Sequence, residues 1–219
     1  MIGGAMVFAA GLGTRMAPLT DTRPKALVEV AGRPLIDHAL DQVPDGPTVV
    51  NLHHFADQLR AHLGTRATLV EEPGAPLETG GGLANARDRL GPDPIMTLNS
   101  DAVWTGAPAH ETLARAWRDD MEALLLLVPA TRATGHAGSD FEMRGTALAF
   151  APGGWVYTGA ALMRTDRLAR HGGAFSLSQV WRAMAADGTL HGVVHPGGWA
   201  DVGRPVNITL AEAMLAAPQ

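Results

Sequence analysis

The sequence predicts an α/β fold, with a mostly parallel sheet covered by helices on both faces. Two observations predict it: short apolar runs alternate with segments of helical periodicity, and Gly, Pro or Asp residues separate most of them. The 219 residues, 46% of them hydrophobic, are enough to bury a substantial core. We expect one domain over residues 1–219, with an α/β half over 1–130 and a β-richer half over 131–219.

The first half alternates strands with helices. Apolar runs predict five strands, together with a short extended piece over Ala26–Val30: Met6–Ala10, Thr48–Leu52, Ala67–Val70, Ile95–Leu98 and Ala123–Val128. Helical periodicity predicts four helices: Pro34–Val43, Phe55–Leu63, Gly82–Leu90 and Pro108–Arg118. Pro34 and Gly64 mark helix boundaries, because proline fits the first turn of a helix and glycine fits the position after the last turn.

The second half begins with strand patterns. Asp140–Phe150 and Trp155–Leu162 are predicted as consecutive strands around the turn at 151–154, where Pro and Gly follow one another. The remaining segments are predicted as helix Ser178–Ala186, strand Leu190–Val194 and helix Asn207–Leu215.

Composition excludes several classes of protein. The net charge of −5 does not provide the broad basic field of a nucleic-acid binder. The absence of cysteine excludes thiolate catalysis, disulfides and Cys-ligated zinc, and is typical of a reducing compartment such as the cytoplasm. Because no apolar run reaches the ~18 residues of a membrane span, we expect no membrane association.

A glycine-rich loop with two cations is the strongest motif. The first predicted strand leads into Ala10, Gly11 and Gly13, where small residues allow backbone N–H groups to approach an anion. Arg15 and Lys25, the single lysine among 17 basic residues, are suited to bracket a polyphosphate. A plain strand-to-loop turn also explains the glycines, and the third position of the dinucleotide-binding G-x-G-x-x-G pattern is not glycine.

Two carboxylates predict a cation site. Asp101 follows the strand Ile95–Leu98 and therefore lies at the carboxyl edge of the predicted sheet, where ligands of open α/β sheets bind. Asp201 lies in a glycine-flanked segment far along the chain. Mg²⁺ takes one or two carboxylates together with substrate phosphates, although each Asp is also a typical turn or helix-cap residue.

The segment Glu78, Thr79 and Gly80 opens a run of three glycines before a predicted helix. Glycines at a helix start leave free N–H groups and no side-chain bulk near a ligand. A flexible loop before a helix explains the same pattern.

Together these motifs resemble the sugar-1-phosphate nucleotidylyltransferase family. The resemblance is carried by AAGLGTR at 9–15 with Pro24-Lys25, by ETGGG at 78–82, by NSD at 99–101 and by WADVG at 199–203. It implies a Rossmann-like fold of the nucleotide-diphospho-sugar transferase type, with 1–130 binding the nucleotide and 131–219 the sugar phosphate.

The resemblance also implies residue roles. The nucleotide would contact the backbone of Ala10, Gly11 and Gly13, and its base would lie near Glu78, Thr79 and Gly80. Its phosphates would contact Arg15 and Lys25, and Mg²⁺ would be held by Asp101 and Asp201. The sugar phosphate would be faced by Asn99, Asp140, Thr158 and Gly159. Many relatives bind the sugar phosphate with a second lysine, which this chain lacks, so either Arg144, Arg164 or Arg204 substitutes or the pocket works without that cation.

The implied reaction is attack of a sugar 1-phosphate on an NTP, with release of pyrophosphate. The runs at 101–105 and 136–141 are similar to those of short uridylyltransferases of cell-wall recycling, which implies UTP and N-acetylmuramate 1-phosphate. Two alternatives remain at this stage. One is another pair of substrates, as in a mannose-1-phosphate guanylyltransferase or a phosphocholine cytidylyltransferase, and the other is a non-catalytic protein that binds a nucleotide sugar.

Overall fold

A computed structural model describes residues 1–72 and 74–217. Fourteen strands lie within these residues: β1 Ala5–Phe8, β2 Glu29–Val30, β3 Arg33–Pro34, β4 Thr48–Leu52, β5 Thr68–Glu71, β6 Ile95–Asn99, β7 Ala102–Trp104, β8 Ala123–Pro129, β9 Ala133–Thr134, β10 Glu142–Arg144, β11 Ala147–Ala149, β12 Trp155–Met163, β13 Leu190–Val194 and β14 Trp199–Asp201. The α-helices of the same residues are α1 Leu35–Leu40, α2 Ala56–Leu63, α3 Glu78–Ala86, α4 Ala109–Ala116, α5 Leu177–Ala186 and α6 Val206–Ala216.

The central sheet has nine strands in the order β10-β11-β13-β8-β12-β6-β1-β4-β5. Strands β6, β1, β4 and β5 pair in parallel, as do β8 and β13. Strand β12 runs antiparallel between β6 and β8, and β11 runs antiparallel to β10 and β13. All strands except β11 and β12 therefore point the same way, which confirms the predicted mostly parallel sheet.

Helices cover both faces of this sheet. Strand β8 shows why: Leu124 and Leu126 pack into one buried apolar cluster with α1, α2 and α4, whereas Leu125 and Leu127 pack into the opposite cluster with α3 and α5. A strand that is buried on both faces needs an apolar side chain at every position rather than at every second one. This need accounts for the uninterrupted apolar run of β8.

A second, three-stranded sheet has the order β7-β14-β9 and packs against α6. Two of its residues, Val103 and Ala200, belong to a third buried cluster, together with Met16, Val28, Val30, Leu35, Val202 and Ala211. Because Met16 belongs to this cluster, the small sheet supports the loop that follows β1.

Three predicted elements differ from the structure. The helix expected at Gly82–Leu90 begins at Glu78 and ends at Ala86, because packing extends it backwards through three glycines. The strand expected over Asp140–Phe150 is a hairpin of β10 and β11, which turns at Gly145 with φ +61°. Ala26–Val30 begins as a 3₁₀ turn over Lys25–Leu27 and becomes extended only at β2. Within the described residues, no helix is long and apolar enough to cross a bilayer.

Candidate active site

Three adjoining cavities lie at the carboxyl ends of β1 and β6, where an open α/β sheet binds its ligands. The large cavity has about 620 Å³, the middle cavity about 240 Å³ and the loop cavity about 210 Å³. Asp101 lines all three, and Asn99 lines the large and middle cavities. Asp101 therefore lies where the three cavities adjoin.

The loop cavity is shaped by Gly13. Its φ of +65° is left-handed, and a Cβ there would approach the Cβ of Lys25 to 2.9 Å. The Thr20 hydroxyl donates to the Gly13 carbonyl at 3.0 Å, and the Met16 N–H donates to the same carbonyl at 2.8 Å. Glycine therefore allows the loop to lie directly against Lys25. Arg15, on the 3₁₀ turn that follows, lines the same cavity.

Lys25 and Asp101 form an ion pair. The Lys25 Nζ lies 2.7 Å from Asp101 Oδ2, and the side chains are 15% and 31% exposed. The two residues are 76 positions apart, and the 3₁₀ turn over Lys25–Leu27 brings the ammonium to the end of β6. The ammonium thus lies between the glycine loop and the Asp101 carboxylate.

Asp201 reaches the same place through the small sheet. Strand β14 pairs antiparallel with β7, so Asp201 lies opposite Ala102, and the Val202 N–H donates to the Asp101 carbonyl at 2.8 Å. Within the described residues the Asp201 carboxylate accepts no hydrogen bond and forms no ion pair. The predicted pair of carboxylates is therefore brought together, although 100 positions separate its members in the sequence.

The electrostatics of Asp201 reflect this crowding. Burial and then the charge of Asp101 raise the pKa of Asp201, and the nearby basic side chains of Lys25, His136 and Arg15 oppose the shift only in part. Uncompensated carboxylate charge of this kind is relieved by a cation. Across the described residues no group of three or more His, Cys, Asp or Glu side chains is placed to hold a metal ion by itself. One or two carboxylates, completed by the phosphates of a substrate, are what proteins usually offer Mg²⁺, so Asp101 and Asp201 fit such a site.

Glu78 and Thr79 line the middle cavity, whereas Gly80 does not, and the glycines that follow them have a different role from the predicted one. The N–H groups of Gly80 and Gly81 both donate to the Phe175 carbonyl, at 2.8 and 3.1 Å, so the expectation of free N–H groups there is wrong. A Cβ on Gly80 would lie 2.3 Å from the Phe175 ring. The glycines thus let the loop before α5 dock onto α3. Glu78, with a left-handed φ of +59°, and Thr79 remain at the cavity wall.

A buried polar chain that the sequence analysis did not identify ties this segment to the glycine loop. Asn51 accepts a hydrogen bond from the Ala9 N–H at 2.7 Å and donates one to Glu72 Oε1 at 2.7 Å. The other Glu72 oxygen accepts from the Leu77 N–H at 2.8 Å. Both Asn51 and Glu72 are buried beside the middle cavity, so the loop after β1 and the start of α3 are held in one arrangement. In the sequence, this polar chain is indicated only by Asn51, a polar residue inside the apolar run of β4.

Gly159 and Asn99 meet at the boundary between the large and middle cavities. Strand β12 changes register between Tyr157 and Ala161, and Gly159 in this bulge has φ +89°. A Cβ on Gly159 would lie 2.9 Å from the Asn99 Cβ. The bulge and the glycine therefore make the space in which the Asn99 side chain lies at the cavity wall.

Asp140 and Thr158 also line the large cavity, but both have internal partners. Asp140 Oδ2 accepts from the Tyr157 N–H at 2.9 Å, and the Thr158 hydroxyl donates to the Leu126 carbonyl at 2.7 Å. Asp140 keeps a second carboxylate oxygen for a ligand. The hydroxyl proton of Thr158, by contrast, is committed to β8.

None of the three arginines considered as a replacement for the missing lysine lines the large cavity. Arg144 pairs with Glu142 at 3.0 Å, and Arg164 donates to backbone carbonyls near α4, so neither lines the large cavity. Arg204 does not line it either. The basic side chains that do line it are Arg15, His136 and Arg182.

Residues 5–196 match the MobA-like NTP transferase domain. The chain belongs to this family. It is 40% identical to the N-acetylmuramate alpha-1-phosphate uridylyltransferase of Caulobacter vibrioides, over 97% of this chain and 96% of the relative. It is 30% identical to the enzyme of that name from Neisseria meningitidis, over 97% and 98%.

The fold is shared with solved structures at lower identity. The inositol-1-phosphate CTP transferase from T. maritima superposes with a TM-score of 0.77 at 15% identity, covering 100% of this chain and 98% of that one. Membership of the family confirms the resemblance drawn from the motifs. The roles of the individual site residues stay predictions.

Proposed function

We propose that the chain is a Mg²⁺-dependent uridylyltransferase, which joins UTP to N-acetylmuramate 1-phosphate and releases pyrophosphate. The observation that carries the proposal is the meeting of three cavities at Asp101, beside Lys25 and Asp201. The relatives at 40% and 30% identity, which match over nearly their whole length, support the choice of substrates. In this proposal the enzyme works in the cytoplasm, in cell-wall recycling.

In this proposal the base and ribose lie in the middle cavity, with Ala10, Gly11, Glu78 and Thr79 at the wall. The triphosphate lies in the loop cavity, where Gly13 and Arg15 contribute to the lining. The sugar 1-phosphate enters the large cavity. The reacting phosphates then meet at Asp101, which all three cavities share.

The chemistry requires no general base. A phosphate monoester has a second pKa near 6, so the attacking oxygen of the sugar phosphate is largely anionic at pH 7. The protein must instead hold two anions together and stabilise charge during in-line transfer to the α-phosphorus. Arg15, Lys25 and the backbone N–H groups of the glycine loop supply fixed positive charge and dipoles for this purpose. Mg²⁺, held by Asp101 and Asp201, would neutralise phosphate charge and align the reacting groups.

The test is a panel of the four NTPs against N-acetylmuramate, N-acetylglucosamine, glucose and mannose 1-phosphates, read by pyrophosphate release with and without Mg²⁺. We expect the highest kcat/KM for UTP with N-acetylmuramate 1-phosphate, and no turnover in EDTA. A higher kcat/KM with GTP and mannose 1-phosphate would contradict the choice of substrates. Tight binding of UTP without turnover of any sugar phosphate would show a binding protein rather than an enzyme.

A further inference from the structure

One wall of the large cavity carries an arginine that the reaction above does not use. Arg182 projects from α5, and its guanidinium carbon lies 4.2 Å from the centre of the Phe150 ring. Within the described residues this guanidinium makes no hydrogen bond and no ion pair. Its N–H donors are therefore available to a ligand in the cavity.

The position of this guanidinium is fixed by aromatic packing. Phe150 packs against Phe141 with ring centres 4.6 Å apart, and Phe141 is 2% exposed. A cation over the face of an aromatic ring is held electrostatically without using a hydrogen-bond acceptor. Arg182 is thus positioned before a ligand arrives, which lowers the entropy lost when it binds one.

Arg182 also lies apart from the phosphate cations. Arg15 lines both the large cavity and the loop cavity, whereas Arg182 lines neither the loop cavity nor the middle cavity. The three carboxylates of the large cavity are Asp101, Asp140 and Asp201, and none of them pairs with Arg182. An unpaired cation in this place suits a second anionic group on the sugar, distinct from its phosphate.

We propose that Arg182 binds the carboxylate of the lactyl ether of N-acetylmuramate 1-phosphate and so selects this sugar over uncharged analogues. The inference rests on the proposed function and deepens it. Guanidinium matches a carboxylate through two parallel hydrogen bonds, a geometry that lysine lacks. N-acetylglucosamine 1-phosphate differs from N-acetylmuramate 1-phosphate only by lacking this ether, so comparing the two sugars isolates the contact.

The experiment measures kcat/KM for both sugar 1-phosphates with UTP and Mg²⁺ in the wild type, R182M and R182K. Because the guanidinium is exposed, we expect R182M to lose about tenfold with the lactyl sugar and less than about threefold with N-acetylglucosamine 1-phosphate. R182K keeps the charge but not the fork, and is expected to lose an intermediate amount. R144M is the matched control, because Arg144 is exposed and lies outside the cavity. It should change kcat/KM for neither sugar 1-phosphate. Melting temperatures verify that each variant is folded.

Equal losses for the two sugars in R182M would overturn the inference, because Arg182 would then serve a feature that both sugars share. Unchanged values for both sugars would overturn it as well. In either case, turnover of the lactyl sugar by the wild type would leave the proposed function standing. A wild type that turns over no sugar 1-phosphate with UTP would overturn the proposed function and this inference together.

Discussion

Replacing Lys25 with arginine tests whether the site needs an ammonium at this position or only a positive charge. The wild-type Nζ lies 2.7 Å from Asp101 Oδ2, and the side chain is only 15% exposed. The backbone end of the Lys25 side chain is confined as well, because a Cβ at Gly13 would lie 2.9 Å from the Lys25 Cβ. The planar guanidinium is larger than the ammonium and cannot take the same place between the loop and the carboxylate.

The magnitude follows from the contact that is lost. A charge-assisted hydrogen bond contributes about 1.5–3 kcal/mol, and about 1.4 kcal/mol corresponds to a factor of ten. We therefore expect K25R to lower kcat/KM for UTP by about ten- to a hundredfold. The charge balance of the site is unchanged, so the melting temperature should fall by less than about 5 °C.

The assay is steady-state pyrophosphate release with UTP and N-acetylmuramate 1-phosphate, accompanied by thermal unfolding of the same preparations. R23K makes the reverse exchange at an exposed arginine two positions away and should behave as the wild type. A kcat/KM for K25R within about threefold of the wild type would refute the reasoning, because the position would then accept either cation.

Three further predictions concern the metal, the packing and the pH dependence. D101N should keep its fold but lose at least about a hundredfold of its Mg²⁺-dependent pyrophosphate release, since it removes a charge at the junction of the cavities. G80A should lose about 1–3 kcal/mol of unfolding free energy in urea, because its Cβ would meet a ring at 2.3 Å, whereas G172A meets nothing within 4 Å and should be neutral. Hydrogen bonds from Arg167 lower the pKa of Glu122 in the folded state, so the pair stabilises above the unfolded pKa and its contribution is lost as the pH falls through the folded value. E122Q should therefore be about 1 kcal/mol less stable than the wild type at pH 7, and this deficit should shrink as the pH falls below the unfolded pKa of about 4.3, measured by urea unfolding across that range.

Each of these has a contrary outcome. Full turnover by folded D101N would remove Asp101 from the metal site. A G80A variant as stable as G172A would show that the loop before α5 can move without cost. A stability deficit of E122Q that does not shrink as the pH is lowered would show that shape, rather than charge, is what the glutamate contributes.

The central strands could be predicted because their apolar sequence pattern matches the buried environment in which they lie. Strand β13 has the predicted bounds Leu190–Val194, and β8 differs from its prediction by one residue, since apolar side chains on both faces are what a covered sheet needs. The start of α3 could not be predicted. Three glycines lower helix propensity, and only their contacts with the loop before α5 show why the helix extends through them.

The site was predictable where one motif carries several of its residues, as with Gly13 and Arg15. The meeting of Asp101 with Asp201 depends on pairing between β7 and β14, two three-residue strands too short to give a pattern. The resemblance to a known family, and not periodicity, assigned the two carboxylates to one site. Arg182 was missed because a single arginine on a helix resembles any solvated one, and its role depends on the ring beneath it.

The most direct measurement supplies N-acetylmuramate 1-phosphate with ¹⁸O in its phosphate, together with UTP and Mg²⁺, and analyses the products by mass spectrometry. If the sugar-phosphate oxygen attacks the α-phosphorus of UTP, every label should appear in UDP-N-acetylmuramate and none in pyrophosphate. Label in pyrophosphate or in free orthophosphate, or UTP consumed without formation of a nucleotide sugar, would contradict the account.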